Sequence, residues 1–179
     1  MNGVPEPLLV RLGELAPQIS PEAWVAPGAV LAGDVTIEAE SSVWYGAVIR
    51  AELAAVHIGP GSNLQDNAVI HVDEGVPVHV EAEVSIGHGA GLHGCHIGSR
   101  TVVGMHATVL NGAEVGEECM LAAGTVVAQG RIIAPRSLVA GVPGKVLREL
   151  TDEEAAANLK GIRLYVTLSQ SHHDSPTAR

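Results

Sequence analysis

Three histidines are the residues of this chain best suited to chemistry. His71 lies in NAVIHVD; His88 and His93 lie in VSIGHGAGLHGC, residues 84–95. Neutral imidazole is a common ligand for divalent transition metals, and three such ligands leave a coordination position open for water. A metal held that way brings the pKa of its water toward 7, giving a hydroxide nucleophile at neutral pH. The spacing argues against a site on one local element. His88 and His93 are five residues apart, whereas neighbours on one helix face are three or four apart and neighbours on one strand face two. Whether the three histidines meet depends on the elements that carry them.

Those elements are announced by a six-residue repeat. From Ile19 the chain steps through Val25, Leu31, Ile37, Val43 and Ile49, all aliphatic; from Ile97 it steps through Val103, Val109, Val115, Leu121, Val127, Ile133 and Val139. Between these runs Ile58, Leu64, Ile70, Val80, Ile86 and Leu92 keep the beat with slips at 49–58, 70–80 and 92–97. Four residues after the aliphatic position the residue is usually small, as at Ala47, Ser62, Ala68, Ala90, Thr101, Ala107 and Thr125. A period of six fits neither a helix nor a plain alternating strand. It fits a three-sided solenoid in which each hexad makes one short strand and one corner, so that 18 residues close a coil. The aliphatic residue fills a narrow interior and the small one fits the corner. The composition agrees: the chain has no Phe, two Trp and two Tyr. Coils would stack through parallel ladders about 4.8 Å apart.

Numbering the three sides places the histidines. With the hexad at Ile70 on face A, Val80 opens face B, Ile86 face C, and Leu92 face A of the next coil. His71 and His93 each follow the aliphatic residue by one, so they share a register on adjacent coils, with backbones roughly 5 Å apart. Arg50 lies one coil below His71 in the same column. His88 belongs to face C, with Gln65 and Asp66 one coil below Gly87 and His88. One chain cannot readily bring His88 to the pair on face A. A neighbouring chain related by a threefold axis can, if its face C meets face A. A further column, His57, His79 and His96, runs up face B. It reads as a solvated outer stripe, with a metal-binding or pH-sensitive patch as the alternative.

The segments GAVIRAE, NLQDNAVIHVD, IGHGAGLHGC and AGVPGKVLREL together resemble the γ-class carbonic anhydrase family, over roughly residues 10–170. The resemblance implies a mainly β fold, a single-stranded left-handed parallel β-helix of hexapeptide repeats with a C-terminal α-helix packed along it. It implies a homotrimer with metal at the subunit interfaces, His71 and His93 from one subunit and His88 from its neighbour. It implies a zinc enzyme, with Fe(II) or Co(II) as other suitable ions, that hydrates CO2 reversibly to bicarbonate, a carbonate dehydratase among the lyases. Gln65 matches the residue that hydrogen-bonds the metal-bound solvent. Arg50 and Asp66 match an inter-subunit ion-pair network. Glu52 stands where the family usually has Asp, and Leu53 replaces a further carboxylate. The long acidic loop of the founding members is reduced to VDEGVP, so that Glu74 aligns with the proton-shuttle position by count alone. Tyr165 falls where the family's helix often places a tyrosine near the site.

The remaining features bound these expectations. A formal charge of −10 over 179 residues argues against nucleic acid and anionic membrane surfaces as partners. Cys95 and Cys119 form no disulfide framework and no paired-cysteine zinc motif. The first residues lack the pattern of a secretory leader and no stretch reaches the length of a membrane span, so a cytoplasmic location is expected. The expected organisation is an N-terminal extension over 1–16, the β-helix over 17–146, an α-helix over 147–170 opened by a Thr151/Glu154 capping box, and a disordered tail over 171–179. The competing functions are a hexapeptide-repeat acyltransferase, an acyl-CoA thioesterase, and a weakly active or structural homologue of the anhydrases.

Overall fold

A computed structural model of the chain describes residues 6–175. The hexads form a parallel β-solenoid of three faces. Face A stacks Leu8–Val10, 30–32, 48–50, Val69–His71, Gly91–His93, Thr108–Val109 and Val126–Val127. Face B runs from Gln18–Ile19 to Ile132–Ile133, and face C from Trp24–Val25 to Ser137–Ala140. The repeating aliphatic residue points inward on every face: Ile49, Ile58, Leu64, Ile70, Val80, Ile86, Leu92, Ile97 and Val103 are all at most 2% exposed. The small residues expected at the corners, among them Ala29, Ala47, Ala68, Ala90 and Ala107, have no exposed surface. A larger side chain there would meet the coils above and below, which explains a core of Val, Ile, Leu and Ala.

The three slips in the beat all fall at the corner between faces A and B. The first is absorbed inside the unbroken strand Val48–Ile58. The second becomes a tight turn closed by an Asp73–Val76 bridge, and the third leaves Gly94 alone at the corner. Face order survives each slip, so the columns stay in register. The opposite corner, between faces B and C, is regular and charged. Arg100 pairs with Glu117 and Glu118 at 2.8 and 2.9 Å, Arg136 pairs with Glu118 and Asp152 at 3.3 and 2.6 Å, and Arg163 of the helix reaches Glu83 at 2.6 Å. Glu83, Arg100, Glu118 and Arg136 all have positive φ, so this ladder occupies positions that are sterically costly for L-residues.

The ends differ from the sequence expectation. Residues 8–10 of the supposed extension pair in parallel with 30–32 and begin face A, because Leu9 sits in register with Leu31; residues 1–5 lie outside the described part. Lys145–Glu149 folds back antiparallel on Ser137–Ala140 and closes the last coil. The helix spans Asp152–His173, opened by the Thr151/Glu154 capping box, and so includes 171–173 of the expected tail; residues 176–179 lie outside the described part. The helix continues because His172 is held. Its ring packs against Trp24, Trp44 and Tyr45, and its Nδ1 lies 2.8 Å from the Tyr45 hydroxyl. Tyr165 stacks edge-on against Trp44 at 5.3 Å, so both Trp and both Tyr residues meet where the helix crosses face C.

The face B histidines form the expected column. His57 and His79 stack with ring centroids 4.7 Å apart and an 8° interplanar angle, and His96 lies 5.4 Å above His79. Glu38 faces His57 at 3.2 Å and Glu81 faces His96 at 3.0 Å; His79, between them, has a pKa below the ordinary 6.5, through burial and then its two imidazole neighbours. A His with a lowered folded pKa takes its proton more readily when unfolded, so stability falls as pH drops from about 6.5 toward that lowered value. His79→Gln should flatten the loss of melting temperature between pH 7.5 and pH 5 while leaving the neutral-pH melt nearly unchanged. An unaltered acid limb in differential scanning calorimetry would show that the column does not set acid stability.

Candidate metal centre

The ladder of face A sets Arg50, His71 and His93 in one register. Parallel pairing stacks their Cα atoms at the strand spacing, so side chains on the outer surface must meet. His71 Nδ1 and His93 Nε2 lie 2.9 Å apart, with both side chains partly buried. The pKa of His71 is lowered first by burial, then by the charge of Arg50 and by His93. Both effects favour neutral imidazole, the form that binds a metal. Glu52 completes this cluster. Its Oε1 contacts Arg50 Nη1 and lies 3.4 Å from His71 Nε2, while its Oε2 is buried without a hydrogen-bond partner among the described residues.

His88 sits on face C, apart from this pair. Its Nδ1 lies 2.8 Å from Asp66 Oδ2, one coil below, and the Tyr165 hydroxyl lies 3.5 Å from its Nε2. The helix thus places Tyr165 beside an expected ligand while packing it on Trp44, and burial with Asp66 nearby raises the phenol's pKa. Gln65 is buried beneath the helix, and its amide donates to Asn63 Oδ1 at 3.0 Å and Ser85 Oγ at 2.9 Å. Both of its N–H groups are therefore used, and what Gln65 has left to offer is its carbonyl oxygen. The partners of Arg50 and Asp66 within one chain are Glu52 and His88.

Among the described residues, no three His, Cys, Asp or Glu side chains of a single chain gather closely enough to hold a metal ion. The donors nevertheless suit one: two imidazole nitrogens 2.9 Å apart, a buried acceptor of Glu52 beside them, and a third imidazole already oriented by a carboxylate. Glu74 is exposed at the tip of the turn between Asp73 and Val76, with no polar side-chain contact among the described residues. The carboxylate of that turn tied into the site is instead Asp73, through Asn111, which bridges Asp73 Oδ2 and His93 Nδ1 at 2.5 Å each. The histidine spacing gave no sign of Asn111; its one sequence signal is its place two residues past the face A aliphatic Val109, a coil above Gly94. Cys95 is buried and its thiol is pushed up to about 12 by burial, which leaves it packing and not nucleophilic chemistry.

Residues 94–129 match the bacterial transferase hexapeptide family (six repeats). A Methanocaldococcus jannaschii protein named "Probable carbonic anhydrase" is 50% identical over 153 residues, 86% of this chain and 96% of that one. The chain belongs to the γ-class carbonic anhydrase family. Its fold is a parallel β-solenoid of hexapeptide repeats with one C-terminal helix, as the hexads imply. "Gamma carbonic anhydrase 1, mitochondrial" of Arabidopsis thaliana is 40% identical over 170 residues, and the chain spans 62% of that relative's length. A crystal structure of a hexapeptide transferase family protein from Anaplasma phagocytophilum superposes with a TM-score of 0.89 at 36% identity, covering 92% of this chain and 98% of that one. No helix among the described residues is long and apolar enough to cross a membrane.

Proposed function

We propose that the chain is a zinc-dependent carbonic anhydrase that assembles as a homotrimer, with His71 and His93 of one subunit and His88 of the next holding the ion. The observation that carries this reading is the His71–His93 pair on face A with His88 presented separately on face C. The outer surface of face A supports an interface between copies: the column of Val30, Val48 and Val69 beside the histidines is apolar, and Val69 is 46% exposed. When bound, the ion supplies Lewis acidity that lowers the pKa of water toward 7, making a nucleophile for CO2.

The chain's own residues do the rest. Asp66 holds the His88 ring from Nδ1 and leaves Nε2 as the donor to the ion. Gln65, its amide hydrogens committed to Asn63 and Ser85, offers a fixed carbonyl oxygen to a hydroxyl proton and so orients a nucleophile toward carbon. Glu52 holds Arg50 and supports His71. The tyrosine hydroxyl at His88 closes one wall. Proton export falls to Glu74 or to buffer, since Glu74 stands at the exposed turn. Acyl transfer is the second reading, favoured by the transferase relatives of the same fold; the net charge of −10 disfavours an anionic CoA thioester as substrate.

The decisive measurement is stopped-flow CO2 hydration by protein purified without oxygen and loaded with Zn(II) or Fe(II), against its metal-free form. Metal-dependent hydration in strong buffer is expected. One ion bound per chain with no hydration would overturn the assignment and move the search to acyl thioesters. Gln65→Ala should lower kcat roughly fivefold, the value of one positioning hydrogen bond of about 1 kcal/mol, with metal content retained. An unchanged kcat would remove Gln65 from the machinery.

A further inference from the structure

The hydrogen bonds behind His93 give a role to two residues outside the expected site. His93 Nδ1 lies 2.5 Å from Asn111 Oδ1, and Asn111 Nδ2 lies 2.5 Å from Asp73 Oδ2. These two contacts determine each other. A carboxylate at neutral pH only accepts, so the end of the Asn111 amide facing Asp73 must be its NH2 group. The other end is then the carbonyl oxygen. Only an N–H on His93 Nδ1 can satisfy it. A neutral imidazole carries one N–H, so Nε2 of His93 keeps its lone pair, and Nε2 is the atom that faces His71.

The backbone is arranged to permit this. Gly94 sits beside the amide with φ +52°, and a Cβ there would lie 2.8 Å from Asn111 Oδ1 and 2.7 Å from Val76 Cγ1. A side chain at Gly94 would fill the space that the Asn111 amide occupies. The Asp73–Val76 bridge fixes the far end of the chain of bonds. Two of the three slips in the hexad beat, those giving the Asp73 turn and Gly94, thus serve one arrangement.

We propose that Asn111 and Asp73 are positioning residues that lock His93 in its Nδ1–H tautomer and present Nε2 for the metal. The proposal rests on the metal site described above. Asp73 sets the amide, the amide sets the tautomer, and the tautomer makes His93 a ligand without rearrangement. Partners of this kind behind a ligating histidine are worth about 10–100-fold in metal affinity.

The test is zinc affinity by chelator competition at one fixed pH, with the thermal melt of each metal-free protein alongside. Asn111→Ala should weaken zinc binding about 10–100-fold while the metal-free melt stays near the parent's. The double variant Asn111→Asp with Asp73→Asn should restore affinity to within about threefold, because the exchanged pair again accepts from His93 and donates to the carboxylate. A merely structural role would move the melt and give no such rescue. Zinc binding by Asn111→Ala as tight as the parent's would overturn the proposal. Should that variant fail to fold, the isosteric Asp73→Asn carries the test: it frees the amide to turn, with a loss of about threefold or more expected, and unchanged affinity overturning the proposal. Failure of the underlying site is recognised separately, by a parent protein that takes up no zinc or keeps its zinc in His93→Ala.

Discussion

Chains carrying His88→Ala and chains carrying His93→Ala, each inactive alone, should recover about one quarter of the parent hydration rate when co-assembled in equal amounts. His93 pairs with His71 on face A, while His88 stands on face C against Asp66. In the proposed trimer, an interface is complete when its face A comes from a His88→Ala chain and its face C from a His93→Ala chain. Random assortment in a closed ring gives that combination at about one interface in four. Neither substitution disturbs the core, since both side chains are partly exposed. A site contained within one chain would show no recovery, because every chain in the mixture lacks one ligand. Zinc content measured on the same mixture should follow the same fraction.

Ile70→Ala should cost about 2–5 kcal/mol and lower the melting temperature by roughly 5–20 °C. Ile70 has no exposed surface and is stacked between Ile49 and Leu92 in the interior column of face A. The ladder fixes the coil spacing above and below, which leaves little freedom for neighbours to close the gap, so the cost should fall toward the upper end. His71 is the next residue. Loss of packing under it should loosen the His71–His93 approach and weaken metal binding as well as the fold. A melt within about 2 °C of the parent's would mean that the interior collapses around the gap more readily than a stacked solenoid should.

The hexads made the solenoid legible, because a six-residue spacing of aliphatic and small residues admits few other folds. Register followed from it: a strand pair that keeps the aliphatic residues inside must put His71 beside His93 and Asp66 beside His88. Three things were not legible. The slips at the corner between faces A and B hide whether an extra residue becomes a turn, a bulge or part of a strand; that choice decided the fate of Asp73 and Gly94. The amide of Asn111 depends on a rotamer, not on spacing. The start of the helix was visible in the Thr151/Glu154 capping box, but its length was set by His172 finding Tyr45 and two indoles on coils more than a hundred residues away in sequence.

That clasp has an optical consequence. Both tryptophans and both tyrosines of the chain lie within it, and the interior of the solenoid, lacking Phe as well, absorbs almost nothing in the near ultraviolet. Intrinsic fluorescence therefore reports on one seam, the contact of the helix with the first coils of face C. The peptide signal in far-ultraviolet dichroism reports on the backbone of the stacked coils and of the helix together. Followed together through a heat or denaturant ramp, the two readouts watch different parts of the molecule. Separation of their midpoints would show that the helix undocks from the first coils in a step apart from the unfolding of the later coils, whose melting the aromatic emission does not report.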